Sequence, residues 1–143
     1  SRHMYAELVW HQDVETWIGC HTRAFNFFNG IPKKIIIDNA KCAVTKASRT
    51  DPVVQKNYYD YASELGFCIS ACAPRDPQKK GRVESGVKYI KNAFFPLREF
   101  KNIDDANVRL KAVMKIINRE TILMQEIPSV PAPFITRVTI SPK

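Results

Sequence analysis

Two acids in this sequence stand where chemistry could be done, and one of them, Glu84, where a divalent cation could be held. Asp38 closes the run Ile35-Ile36-Ile37, and Glu84 sits at the head of an apolar series, Val83, Val87, Ile90 and Phe94. Hard cations take oxygen ligands, carboxylates above all. The apolar series has the spacing of one helix face, and Glu84, Lys88 and Lys91 fall at i, i+4 and i+7 on the opposite side. A loop containing Arg75, Lys79, Lys80 and Arg82 leads into this run through Gly81. A carboxylate at the head of a helix and ringed by cations has two readings. It is a solvated terminus favoured by the helix dipole, or a metal ligand beside bound phosphates. Asp38 is as open. Functional groups of α/β proteins sit just past the carboxyl ends of strands that are apolar on both faces, but Asp-Asn is also a turn-forming pair.

The elements that must position these residues follow from apolar periodicity. Met4 to Trp10 reads as a strand. Asp13 is a helix N-cap, and Val14, Trp17, Ile18, His21, Phe25 and Phe28 recur at helical spacing until Asn29-Gly30. His21 lies on that apolar stripe, where a satisfied core histidine is the simpler reading than a base. Ile35 to Ile37 is a strand expected to be covered on both faces. Lys41 to Arg49, with Lys46, is expected to be a polar and mobile connection. Asp51-Pro52 is expected to start a helix with buried residues Val54, Tyr58, Tyr61, Ala62 and Leu65, ended by Gly66. Phe67 to Ala73 is the next strand. A last helix is expected from Ile103 to about Asn118, packed through Val108, Ala112, Val113, Ile116 and Ile117. From Ile127 onward four prolines leave room for one short strand, Arg137 to Ile140.

Composition narrows the classes. The chain has 143 residues, 45% of them hydrophobic, enough for one core. No apolar run approaches the ~20 residues that span a bilayer. Twenty-two Lys and Arg against fourteen Asp and Glu give a formal charge of +8, which suits a polyanionic partner. Cys68 and Cys72 sit four apart in a strand, roughly 13 Å in extension, too far for a disulfide. The Cys and His spacings match no structural zinc site. A reducing, cytoplasmic setting fits these cysteines.

IIIDNAK (Ile35 to Lys41) and APRDPQKKGRVESGVKYIKNAFF (Ala73 to Phe95) resemble the integrase catalytic core of bacterial insertion-sequence transposases, the IstA type in particular, and more distantly retroviral integrases. WHQDVETWIGCHTRAFNFFNGIPKKII, from Trp10, is similar to the same family's first helix and its approach to the second acidic strand. The resemblance implies an α/β, ribonuclease-H-like mixed sheet flanked by helices over residues 1–120; it ends there, and the prolines of 121–143 read as a linker or strap. It implies an Asp, Asp, Glu triad holding two Mg²⁺ or Mn²⁺ ions, with Asp38 the second acid and Glu84 the third. Arg75, Lys79, Lys80, Arg82, Lys88 and Lys91 would contact DNA backbone, and Asn39 and Lys41 would neighbour the site. The implied partners are transposon-end and target DNA and further copies of the chain. An ATPase helper stands as another candidate.

In the family the first acid lies on a strand upstream of the segment matching Met4 to Trp10. The expected core is therefore N-terminally truncated, with its first strands absent and its triad incomplete. Glu7, in an outer strand, and Asp13, a helix cap, are poor replacements, as are Asp51 and Asp76. The resulting expectation is a DNA-cutting and DNA-joining core that is inactive as this fragment, with sheet edges open to a second chain. The alternative is a non-catalytic nucleic-acid-binding or assembly module of the same fold.

Overall fold

Strand and helix alternate along most of the chain. The structure is a computed structural model and describes residues 3–37, 40–46, 53–71, 88, 90–92, 94–96, 98–123 and 137–140. The elements are β1 (Tyr5–Leu8), α1 (Val14–Phe28), β2 (Lys34–Ile37), β3 (Val44–Lys46), β4 (Val53–Val54), α2 (Lys56–Leu65), β5 (Cys68–Ala71), α3 (Ile103–Leu123) and β6 (Arg137–Ile140). This is a mixed α/β architecture. Among the described residues the strands pair as β1 with β6 and β2 with β5, both parallel, and β3 with β4, antiparallel. Two compact units result: His11–Gly81, and Ser1–Trp10 together with Arg82–Lys143.

In the His11–Gly81 unit, α1 starts where expected. Asp13 Oδ1 accepts the Thr16 N–H at 2.7 Å, satisfying one of the orphan donors of the first turn. It ends at Asn29, whose φ of 54° is left-handed, and the Gly30 N–H reaches back to the Phe25 carbonyl at 3.0 Å. Cys20, His21, Ala24 and Phe25 form its buried face. His21 Nδ1 lies 2.9 Å from the Trp17 carbonyl and Nε2 3.1 Å from the Tyr58 hydroxyl. A carbonyl only accepts, so Nδ1 carries a proton, and the Tyr58 hydroxyl is the partner of Nε2. The ring is a satisfied core histidine packed against Trp17, Phe25 and Tyr58.

Three expectations fail in this unit. β2 is covered on one face: Ile35 and Ile37 are buried, but Lys34 and Ile36 are exposed, Ile36 at 38%. Three β-branched residues in a row specify a strand without saying whether both faces are covered. The stretch after Lys41 is not a plain connection, because Val44 and Lys46 pair with Val54 and Val53 in a hairpin. Its lysines drew the polar reading, but Val44-Thr45 and Val53-Val54 are strand-forming pairs. For the same reason α2 begins at Lys56, with Gln55 as N-cap accepting the Tyr58 N–H at 3.1 Å. Asp51 and Pro52 lie outside the described residues. The end of α2 is as expected. Gly66 takes φ 76°, which suits glycine, and the Phe67 N–H closes on the Ala62 carbonyl at 3.0 Å.

In the other unit every residue of β1 is buried. Successive residues of a strand turn their N–H and C=O groups to opposite edges. The edge carrying Met4, Ala6 and Leu8 is met by side chains of α3. Asn118 accepts the Met4 N–H and donates to the Met4 carbonyl, both at 2.9 Å. Asn107 does the same for Leu8, at 2.6 and 2.9 Å. Between them the Ala6 N–H meets Met114 Sδ at 2.8 Å. A helix thus supplies the partners a further strand would have given. Asn102 caps α3 by accepting the Asp105 N–H at 2.8 Å, and Asp105 reaches back to the Lys101 N–H at 3.1 Å.

The face of α3 corrects another expectation. Ala106, Leu110, Met114 and Asn118 are buried, at strict i+4 spacing. Val108 and Ile116 are 69% and 58% exposed, Ala112 is exposed, and Val113 and Ile117 are half-buried. Counting apolar residues favoured the β-branched stripe. The true stripe ends in Asn118 and has half-buried Asn107 at its side, two residues that look polar until the strand edge they serve is known.

Candidate functional site

The chain on either side of Asp38 is described. Before it, Ile35 and Ile37 are buried, and β2 is held in register with β5 from Lys34↔Cys68 to Ile37↔Ala71. After it comes a turn in which the Ala40 carbonyl accepts the Ala43 and Val44 N–H groups, both at 2.9 Å. Ala43 and Val44 are buried, and the Ala43 carbonyl accepts the Gln55 N–H at 2.8 Å. Lys41 stands exposed in this turn. Asp38 and Asn39 themselves lie outside the described residues.

The segment following Glu84 has the two-sided character its spacing predicts. Residues 88 and 90–92 are helical, and the Phe94 N–H continues the ladder to the Ile90 carbonyl at 2.9 Å. Ile90 and Phe94 are buried, and Lys88 and Lys91 are exposed. Rings extend the anchor: Phe94 stacks on Phe100 at 5.4 Å, and the Arg98 guanidinium lies 4.7 Å over Phe94 while donating to its carbonyl at 2.9 Å. Glu84, Arg75, Lys79, Lys80, Arg82, Val83 and Val87 lie outside the described residues. Of the expected site, the structure therefore describes Lys41, Lys88 and Lys91, each with its side chain in solvent.

Other carboxylates already have structural tasks. Glu7 is buried in β1 and accepts the Tyr5 hydroxyl at 3.1 Å. The hydrogen bonds from Thr16 that make Asp13 a cap also hold its carboxyl below the usual range. Asp105 is held low first by the Lys101 N–H and then by Arg109, whose Nε lies 3.1 Å away. The sequence reading passed over one group, Lys111, Lys115 and Arg119 on α3, all exposed. Their i, i+4, i+8 spacing was legible but was hidden by assigning that side of the helix to the core.

No family model matches the chain. Relatives do. The transposase of insertion sequence IS21 from Pseudomonas aeruginosa is 34% identical over 112 residues, 78% of this chain and 29% of that protein. The transposase of IS640 from Shigella sonnei is 35% identical over 100 residues, 69% of the chain and 32% of that protein. A protein of Mycobacterium tuberculosis named as a candidate transposase is 33% identical over 103 residues, 72% and 25% of the two chains. The chain thus spans between about a quarter and a third of the length of these relatives. No helix among the described residues is long and apolar enough to cross a membrane. Similarity on this scale makes the chain homologous to, and places it with, the insertion-sequence transposases of the IS21 type.

Proposed function

We propose that this chain is part of a ribonuclease-H-like catalytic core whose whole protein cuts and joins DNA strands by in-line phosphoryl transfer. The observation that carries the reading is the similarity to transposases over most of the chain. It is supported by an acid following two buried isoleucines of β2 and by exposed Lys88 and Lys91 opposite buried Ile90 and Phe94.

On this reading Asp38 and Glu84 hold Mg²⁺ or Mn²⁺, and their donor chemistry fits: two carboxylates offer the hard oxygens such ions take. When bound, a pair of such ions activates the attacking hydroxyl and steadies the departing 3′ oxygen. Lys88, Lys91, Arg75, Lys79, Lys80 and Arg82 hold phosphates, which positions DNA without reading its sequence. Asn39 and Lys41 flank the acid. No third carboxylate for the pair is assigned, since Glu7 and Asp13 are engaged elsewhere. The 143 residues alone are therefore proposed not to perform strand transfer. Transposon-end and target DNA, further copies of the chain and an ATPase helper are the proposed partners, in the cytoplasm. A strict monomer by light scattering would count against self-association.

The test is a Mn²⁺ titration of the chain, followed calorimetrically, beside Asp38→Asn and Glu84→Gln. Each substitution should weaken binding at least about tenfold, the lower end for loss of groups that support a metal. Unchanged Mn²⁺ binding in both variants removes the pair from the mechanism and leaves a non-catalytic nucleic-acid-binding module.

A further inference from the structure

The exposed side of α3 carries two rows of side chains that stand in solvent. Val108, Ala112 and Ile116 form one row and Lys111, Lys115 and Arg119 another, interleaved on the side facing away from Ala106, Leu110, Met114 and Asn118. From residue 106 to 119 the helix has bases and no acid. Of its acids, Asp104 and Asp105 lie in the first turn, where Asp105 pairs with Arg109, and Glu120 follows Arg119 in the sequence. Compensation of the helix dipole does not explain the bases. That effect falls off within the last turn, and the last turn has none.

We propose that this face of α3 is a second DNA-backbone surface, with Lys111, Lys115 and Arg119 contacting phosphates along one strand. The proposal rests on the reading that the chain works on DNA and adds a site remote in sequence from the segment of Glu84. The three cations rise ~6 Å per step and span about 12 Å. At ~3.4 Å of duplex axis per nucleotide of one strand, that spans three to four phosphate-to-phosphate steps, so the cations meet roughly every second phosphate. Charge complementarity selects this occupant over a second copy. Two α3 helices packed antiparallel about their middle would bring Lys111 of each copy against Lys115 of the other, a like-charge arrangement that costs affinity. A polyanion meets the same cations favourably. Val108 and Ile116 then lie beside the cations as apolar contact surface.

The experiment measures binding of a fluorescein-labelled mixed-sequence duplex to the 143-residue chain as a function of salt. The variants are Lys111→Gln/Lys115→Gln/Arg119→Gln and, as a charge-matched control, Lys33→Gln/Lys46→Gln/Lys101→Gln. Each lost phosphate contact lowers the slope of log K against log salt by about 0.9, so the α3 variant should lose about 2.7 and the control little. Over a fourfold rise in salt the wild type would then lose ~40-fold more affinity than the α3 variant, from the same slope. An unchanged slope in the α3 variant, with loss on Lys88→Gln/Lys91→Gln, overturns this proposal alone. No duplex binding by the wild type overturns it together with the functional reading. A dimer abolished by Ile116→Ser, with the DNA slope intact in the α3 variant, overturns it in favour of a second copy.

Discussion

Replacing Asn118 or Asn107 by alanine tests whether the helix stands in for a strand. Each side chain makes two hydrogen bonds to one residue of β1, accepting its N–H and donating to its carbonyl. At about 1 kcal/mol net per bond, each substitution should cost about 2 kcal/mol, and more where the freed groups stay buried. The two asparagines are eleven residues apart, about 16 Å along the helix, beyond the range at which substitutions ordinarily couple. Yet both hold the same four-residue strand. If β1 docks as one piece, removing the first clamp already loosens the second, and the double variant should fall short of the ~4 kcal/mol sum by about 1 kcal/mol. Urea unfolding of the wild type, both single variants and the double variant, followed by circular dichroism, measures this. Asn118→Asp separates hydrogen bonding from packing. The carboxylate can still accept the Met4 N–H but repels the Met4 carbonyl, so its folded pKa rises. The variant should regain stability as pH falls through that raised value and the protonated acid becomes a donor. Strict additivity would refute one-piece docking, and a cost near zero in both single variants would refute the clamp.

Two further outcomes check other parts of the structure. Leu110→Ala should cost ~2–5 kcal/mol in the same urea assay because it opens a cavity in a packed face. Val108→Ala should stay within about 0.5 kcal/mol, and the reverse order would restore the sequence-based assignment of the helix face. Asp13→Asn should flatten the acid limb of the stability profile. The capping bonds lower the folded pKa of Asp13, so its contribution is complete above the unfolded value and is lost as pH falls through the folded one. An unaltered acid limb in thermal melts between pH 2 and 6 would show that the cap is not formed in solution.

Local chemistry was legible wherever one residue decides the matter. Asp13 begins α1, Asn29 and Gly66 end helices, and Ile35 to Ile37 form a strand because each case turns on a cap, a left-handed residue or β-branching. The buried and exposed sides of the segment after Glu84 were legible too, since Ile90 and Phe94 repeat at i+4. What the sequence could not reveal depends on partners distant along the chain. The hairpin of β3 with β4 requires Val44 to find Val54, and α3 requires Asn107 and Asn118 to find β1, about a hundred residues earlier. Of the candidate site, the family resemblance proved sound, while the roles of Asp38 and Glu84 rest on the proposed metal test.

The misjudged face of α3 changes more than the packing diagram. Apolarity ranks Val108, Ala112 and Ile116 above Asn107 and Asn118 as core residues, yet the helix is oriented by the backbone groups of β1. An uncovered N–H or C=O costs more than an exposed valine, because a buried polar group without a partner loses water's hydrogen bonds with nothing in return. Satisfying the strand edge therefore outweighs covering the β-branched row, and that choice turns Lys111, Lys115 and Arg119 into solvent. The same asparagines that tie the helix to β1 thus present its cations outward. Weakening the clamp should then loosen the basic face along with the strand, which links the stability of this unit to whatever polyanion the face receives.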